Sequence, residues 1–75
     1  MPPLPRLTVR ELLAKLERLG FVRDRQTGSH FIIRHKEDPG RFAVVAVHSR
    51  RVIPPGTLKH ILATARVSAE MLDDA

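Results

Sequence analysis

The chain has 75 residues, with 13 Lys and Arg against eight Asp and Glu, and it contains no cysteine. That length fits one domain (residues 1–75) with a small core, burying about 60% of its unfolded surface. Without cysteine there is neither a disulfide framework nor a thiolate metal site, and the reducing cytoplasm is the expected compartment.

No apolar run approaches the roughly 20 residues that cross a bilayer, so no membrane association is expected. The opening MPPLPRL lacks the apolar segment of a secretion signal. The net charge is +5. The last eight residues carry Glu70, Asp73 and Asp74 and no base, so residues 1–67 hold 13 bases against five acids, a charge of +8. Ten of the 13 bases are arginine, the side chain whose planar fork matches a phosphate. A compact basic domain points to a polyanion, nucleic acid first. The competing reading is a basic surface that only keeps the protein soluble.

Residues 1–6 contain three prolines and read as a flexible tail. Thr8 followed by Glu11 forms a capping box, with Leu7 and Leu12 at the hydrophobic-staple positions. Val9, Leu12, Leu13, Leu16 and Leu19 then repeat at helical spacing, and Gly20 is the expected C-terminal glycine. Phe21 to Arg25 reads as a short strand and Gln26-Thr27-Gly28 as a turn. Ser29 to Lys36 is the second strand, Asp38-Pro39-Gly40 a turn, and Phe42 to His48 a β-branched third strand. Ser49 to Pro55 connects to a second helix with Pro55 in its first turn and Leu58, Ile61, Leu62 and Ala65 on one face. Ser68 caps a short final helical turn in which Val67 and Leu72 form a staple.

The order α-β-β-β-α predicts an α+β fold: a three-stranded antiparallel sheet with two helices on one face, plus a short C-terminal helical turn. Alternation groups His30, Ile32 and Arg34 on one face of the second strand and Phe31, Ile33 and His35 on the other. In the third, Ala43, Val45 and Val47 oppose Phe42, Val44 and Ala46. Both faces are apolar, so one of them exposes apolar side chains unless a partner covers it.

Histidine is the side chain suited to proton transfer near neutral pH, and the chain has four: His30, His35, His48 and His60. His30 opens a strand directly after Gly28-Ser29, a place where a side chain is held firmly yet reaches a cleft. A histidine near Arg34 and Lys36 suits cleavage of an RNA phosphodiester, one group moving a proton while cations hold the phosphate. The competing reading makes His30 a structural residue bonded to backbone. No histidine pair has the i, i+4 spacing of a metalloprotease helix, and no metal or other cofactor is expected. Ser29 and His30 are strand neighbours on opposite faces, which argues against a Ser-His nucleophile. The start of the second helix, PPGTLK, offers free N–H groups and Lys59 to a phosphate.

GSHFIIRH, then VAVHS, then IPPGTLKHILATARVS, in that order, resembles the HicA family of toxin mRNA interferases, over about Thr8 to Leu72. The resemblance implies a fold like that of double-stranded RNA-binding domains. It also implies metal-independent cleavage of mRNA by the G-S-H histidine, here His30, and a cognate HicB-like antitoxin as partner. Gly28, Ser29, Arg34, Lys36 and Lys59 are then the expected RNA contacts. It further implies that Ile32, Val45 and Val47 pack on the helices, leaving Phe31, Ile33, Phe42 and Val44 on an apolar outer face open to the antitoxin or to a second copy of the chain. A non-catalytic RNA-binding module of the same shape, or a pure protein-interaction domain, are the alternatives.

Binding to single-stranded RNA is expected to weaken steeply with salt, by roughly 0.7 in log K per log unit of salt for each phosphate neutralised. A titration series between low and physiological salt measures this slope, and a flat response would favour the protein-interaction reading.

Overall fold

The computed structural model describes residues 4–46 and 50–75. The elements are α1 (Val9–Arg18), β1 (Phe21–Thr27), β2 (His30–His35), β3 (Phe42–Ala46), α2 (Pro55–Ala65) and α3 (Ala69–Asp74). The strands form one antiparallel sheet in the order β1-β2-β3. The α+β arrangement with α-β-β-β-α order is the expected one. The expected end of the third strand, Val47 and His48, lies outside the described residues.

α1 starts where its sequence dictates. Thr8 accepts from the Glu11 backbone N–H at 3.3 Å, and the Glu11 carboxylate accepts from the Thr8 N–H at 3.0 Å. Both exchanges satisfy donors that the first turn leaves without intrahelical partners. The bonds from Thr8 hold the Glu11 carboxyl below the usual carboxylate range. Leu7 and Leu12, the staple pair, are both buried.

The helices cover one face of the sheet. Leu12, Leu13 and Leu16 of α1, Leu58, Ile61, Leu62 and Ala65 of α2 and Leu72 of α3 meet Phe21, Ile33, Ala43 and Val45 in one core. Two long-range ties fix this layer. The Lys15 ammonium donates to the carbonyls of Leu72 at 3.2 Å and Ala75 at 3.1 Å, closing the end of α3. Arg41, just before β3, donates through Nε to Ala65 O at 2.9 Å and through a terminal nitrogen to Arg66 O at 3.3 Å, closing the end of α2. Since the start of β3 meets the end of α2, α2 runs back antiparallel to β3. Its N-terminus therefore lies toward the Ala46 end of the sheet.

The N-terminal segment is more engaged than a tail. Leu4 packs against the core, and Leu7 O accepts from the Ile53 N–H at 2.7 Å. Thr8 and Val52 form an isolated bridge beside this bond. Leu7 and Ile53 are the apolar residues that this short pairing buries, which explains why the proline-containing connection before α2 stays against the body.

Gly20 is required twice over. Its φ is +99°, and a Cβ there would sit 2.8 Å from His35 Nε2. The His35 ring cannot withdraw freely: Nε2 donates to Leu19 O at 3.1 Å and Nδ1 accepts from the Glu37 N–H at 3.2 Å. Gly20→Ala should therefore cost about 1–3 kcal/mol. Urea unfolding would show it as a lower midpoint at unchanged slope; a variant as stable as the parent would contradict the packing described.

Candidate functional site

The face of the sheet opposite the helices is open, and the pairing register decides which side chains it carries. Phe31 pairs with Val45 and Ile33 with Ala43, whereas His30 pairs with Ala46, Ile32 with Val44 and Arg34 with Phe42. Directly paired residues of an antiparallel ladder point to the same side. With Val45 buried among the helices, Phe31 and Ile33 must point inward too. Ile33 is accordingly 2% exposed and Phe31 packs against the core.

This corrects part of the expected face assignment. Val45 packs on the helices as expected, but Ile32 does not: it stands on the open face beside Val44, which is 46% exposed. Phe31 and Ile33 are not on that face. Of the expected strip Phe42 and Val44 are on the open face, joined there by Val22 and Ile32. Grouping Ile32 with Val45 would have required a shift of one residue in register, which turns every side chain over.

β1 runs two residues beyond its expected end, and the turn shrinks to Gly28-Ser29. Thr27 pairs with His30 across it, and Gly28 has φ +57° while Ser29 does not enter the positive region. Glycine at the first central position of a two-residue hairpin is what a type II′ turn asks for. β1 also carries a bulge. Arg23 pairs with Ile33 and Arg25 with Ile32, leaving Asp24 as an extra residue. With regular pairing and no bulge, alternation from Arg23 would turn Arg25 inward. With the bulge, Arg25 and Thr27 share the open face with His30.

The expected site residues separate into three places. His30 is exposed at the open end of β2, with Ser29 Oγ 3.4 Å from its Nδ1. Gly28 and Ser29 form the turn that leads into it. Arg34 lies four residues further along β2 on the same face, where it is held: Nε donates to Asp24 Oδ2 at 2.9 Å, NH1 donates to Pro39 O at 3.2 Å, and its carbon centre stands 5.6 Å from the Phe42 ring. Lys36 is exposed beyond the end of β2, near the Gly20 turn, its backbone N–H donating to Gly20 O at 3.0 Å.

Lys59 is on the helix layer. It lines a groove of about 520 Å³ with Leu4, Leu62, Ala63, Arg66, Val67 and Ala69. The N-terminus of α2 and His30 thus lie toward the same end of the molecule but in different layers. Among the described residues no group of three His, Asp or Glu is placed to hold a metal ion, and no helix is long and apolar enough to cross a membrane.

The histidines divide clearly. Both ring nitrogens of His35 are occupied by backbone, and its ring meets Phe21 edge-on at 5.2 Å and 89°. That is a positioned structural residue. His60 is exposed on α2, and His48 lies outside the described residues. Among the described residues only His30 stands on the open sheet face, and its Nε2 makes no hydrogen bond there. The sequence reading did not find Arg25 or Thr27 as neighbours of His30, because FVRDRQT carries no alternation that announces a bulge. The Thr-Gly-Ser-His spacing did contain a signal for the hairpin register.

The geometry defines a small basic α+β domain that, among the described residues, offers His30 as the free histidine on an open, cation-bearing sheet face. The family model described as the HicA toxin of bacterial toxin–antitoxin systems matches residues 9–67, well over half of the chain. The chain belongs to that family and is a toxin of the toxin–antitoxin type, which implies an antitoxin partner. No curated protein matches it significantly.

The two sheet histidines should respond differently to truncation. His35→Ala leaves the Leu19 carbonyl and the Glu37 N–H without partners and should lose about 1–3 kcal/mol. His30→Ala should stay within about 0.5 kcal/mol of the parent, as an exposed substitution does. Chemical denaturation of both variants measures this; a large loss at His30 would make it a structural residue.

Proposed function

We propose that this toxin is an endoribonuclease that cleaves mRNA, with His30 transferring the proton. The observation that carries the reading is the free His30 ring on the open sheet face of a basic protein, in a family whose members are generally ribonuclease-type toxins. In the reaction a ribose 2′-OH attacks the adjacent phosphorus and the P–O5′ bond breaks. The products are a 2′,3′-cyclic phosphate and a 5′-hydroxyl. His30 serves this by accepting the 2′-OH proton as general base, or by protonating the leaving 5′ oxygen as general acid. Such a mechanism needs no metal ion, because a proton relay and fixed cations meet its two demands.

The other expected residues serve at different distances from that centre. Gly28 and Ser29 bring the backbone close enough for RNA to approach the turn. Lys36 and Lys59 contribute to the positive field that gathers RNA, and Arg34 presents its remaining guanidinium edge beyond its bonds to Asp24 and Pro39. The same open face, whose strip of Val44, Ile32, Phe42 and Val22 runs from near His30 to Arg34, is where a HicB-like antitoxin would silence the toxin; a second copy of the chain is the other occupant that the strip suits.

His30→Ala should reduce RNA cleavage about 10²–10⁴-fold with the fold intact. Purified protein and a labelled RNA, assayed in the presence of chelator, measure it, with product ends checked for the cyclic phosphate. Wild-type protein that binds RNA without cleaving it would favour the non-catalytic RNA-binding module, and cleavage unaffected by the substitution would remove His30 from the chemistry.

A further inference from the structure

We infer that Arg25, delivered to the open face by the Asp24 bulge, is the residue that grips the phosphate undergoing attack beside His30. The inference deepens the nuclease reading and rests on it for the identity of the site.

Four observations carry it. The first is register: Thr27 pairs with His30 and Arg25 with Ile32, so Arg25 is the diagonal cross-strand neighbour of His30. Diagonal neighbours on one face are about 7–8 Å apart, within reach of a long side chain. The second is the bulge. Because Asp24 is left unpaired, Arg25 and Thr27 fall on the open side, where regular alternation through Asp24 would have put them on the core side.

The third is availability. Among the described residues Arg25 makes no hydrogen bond or ion pair, and it is exposed. The other arginines of the sheet are occupied. Arg34 is bonded to Asp24 and Pro39. Arg23 is on the opposite face with its carbon centre 4.5 Å from the Phe31 ring centroid. Arg41 is bonded to the end of α2. The fourth is the separation along β2: Arg34 is four residues from His30, about 13 Å in an extended strand, too far for one phosphate to touch both through a side chain already tied down.

The chemistry fits the placement. As the 2′ oxygen adds to phosphorus, the non-bridging oxygens gain negative charge. A guanidinium aimed at them with two parallel N–H groups is the geometry arginine offers and lysine does not. The Asp24 carboxylate faces Arg34, not Arg25. The bulge residue thus separates the two cations by function: it immobilises one and leaves the other free for substrate. Thr27, short and directly opposite His30, leaves the space between imidazole and guanidinium open to a phosphodiester.

The test compares Arg25→Ala with Arg23→Ala, which removes the same charge from the opposite face of the same strand. Arg25→Ala should lower the cleavage rate about 10²–10³-fold, the loss typical of one charge-stabilising donor. Arg23→Ala should leave it within about threefold, while both lower the salt slope of RNA binding by up to about 0.7. Arg25→Lys should retain part of the rate. A second readout, affinity for a 2′-O-methyl RNA oligonucleotide that cannot be cleaved, does not depend on His30 chemistry; there Arg25→Ala should weaken binding more than Arg23→Ala. Equal effects of the two alanine variants in both assays would overturn the assignment of Arg25. A wild-type protein that does not cleave RNA, yet loses 2′-O-methyl RNA affinity selectively on Arg25→Ala, would remove the nuclease reading and keep the phosphate site.

Discussion

Everything on this protein's open sheet face follows from one constraint, the position of β2 between two antiparallel partners. A central strand must satisfy two ladders at once, so its side chains cannot turn over without breaking both. Ile33 opposite Ala43 and Phe31 opposite Val45 commit one side of β2 to the helices. The other side, His30, Ile32 and Arg34, is then committed to the outside whether or not its apolar member favours exposure. The histidine on the open face and the isoleucine stranded beside it are consequences of the same pairing.

Legibility from sequence followed the range of the interactions. The start and end of α1 were plain, because Leu7, Thr8, Glu11 and Leu12 act on one another locally at its start and Gly20 lies within a turn of its last residues. Asp38-Pro39-Gly40 and the Pro55 helix start were readable for the same reason. What escaped were effects decided across the fold. Alternation in FIIRH and FAVVA is apolar on both sides, so only the register could say which side is core. The Asp24 bulge has no local signature, since an aspartate between two arginines looks like ordinary surface. Arg41 closing the end of α2 and Lys15 closing the end of α3 join residues 24 and 57 positions apart and more, beyond any pattern in the chain. The candidate site was legible as His30 and its turn, while its immediate neighbours depended on the bulge.

The arginine content also reads differently once the structure is known. All three phenylalanines carry a guanidinium within 6 Å of the ring: Arg41 on Phe21, Arg23 on Phe31 and Arg34 on Phe42. Such contacts are worth about 0.5–1 kcal/mol each at exposed sites. In a domain with so little aromatic surface, arginine serves as packing material as well as charge. A count of bases therefore overstates the cations available to a ligand, and the positive field of the domain is broader than the set of side chains free to hold an anion.

The bond from the Ile53 N–H to Leu7 O has a kinetic side. It joins strands of chain separated by the whole three-stranded meander, and the Lys15 bond to Leu72 encloses a still longer loop. Closing such loops costs entropy that nearby contacts must already have offset. The two hairpins, each joined by a short connection, have no such cost. The order this favours is local contacts first, the hairpins and α1 on β1 across the Leu19-Gly20 turn, with the Leu7–Ile53 and Lys15–Leu72 ties closing last. On a ribosome, α1 and the sheet emerge before Ile53 and α2, so the ties that lock the two ends of the chain together are the last part of the core to set.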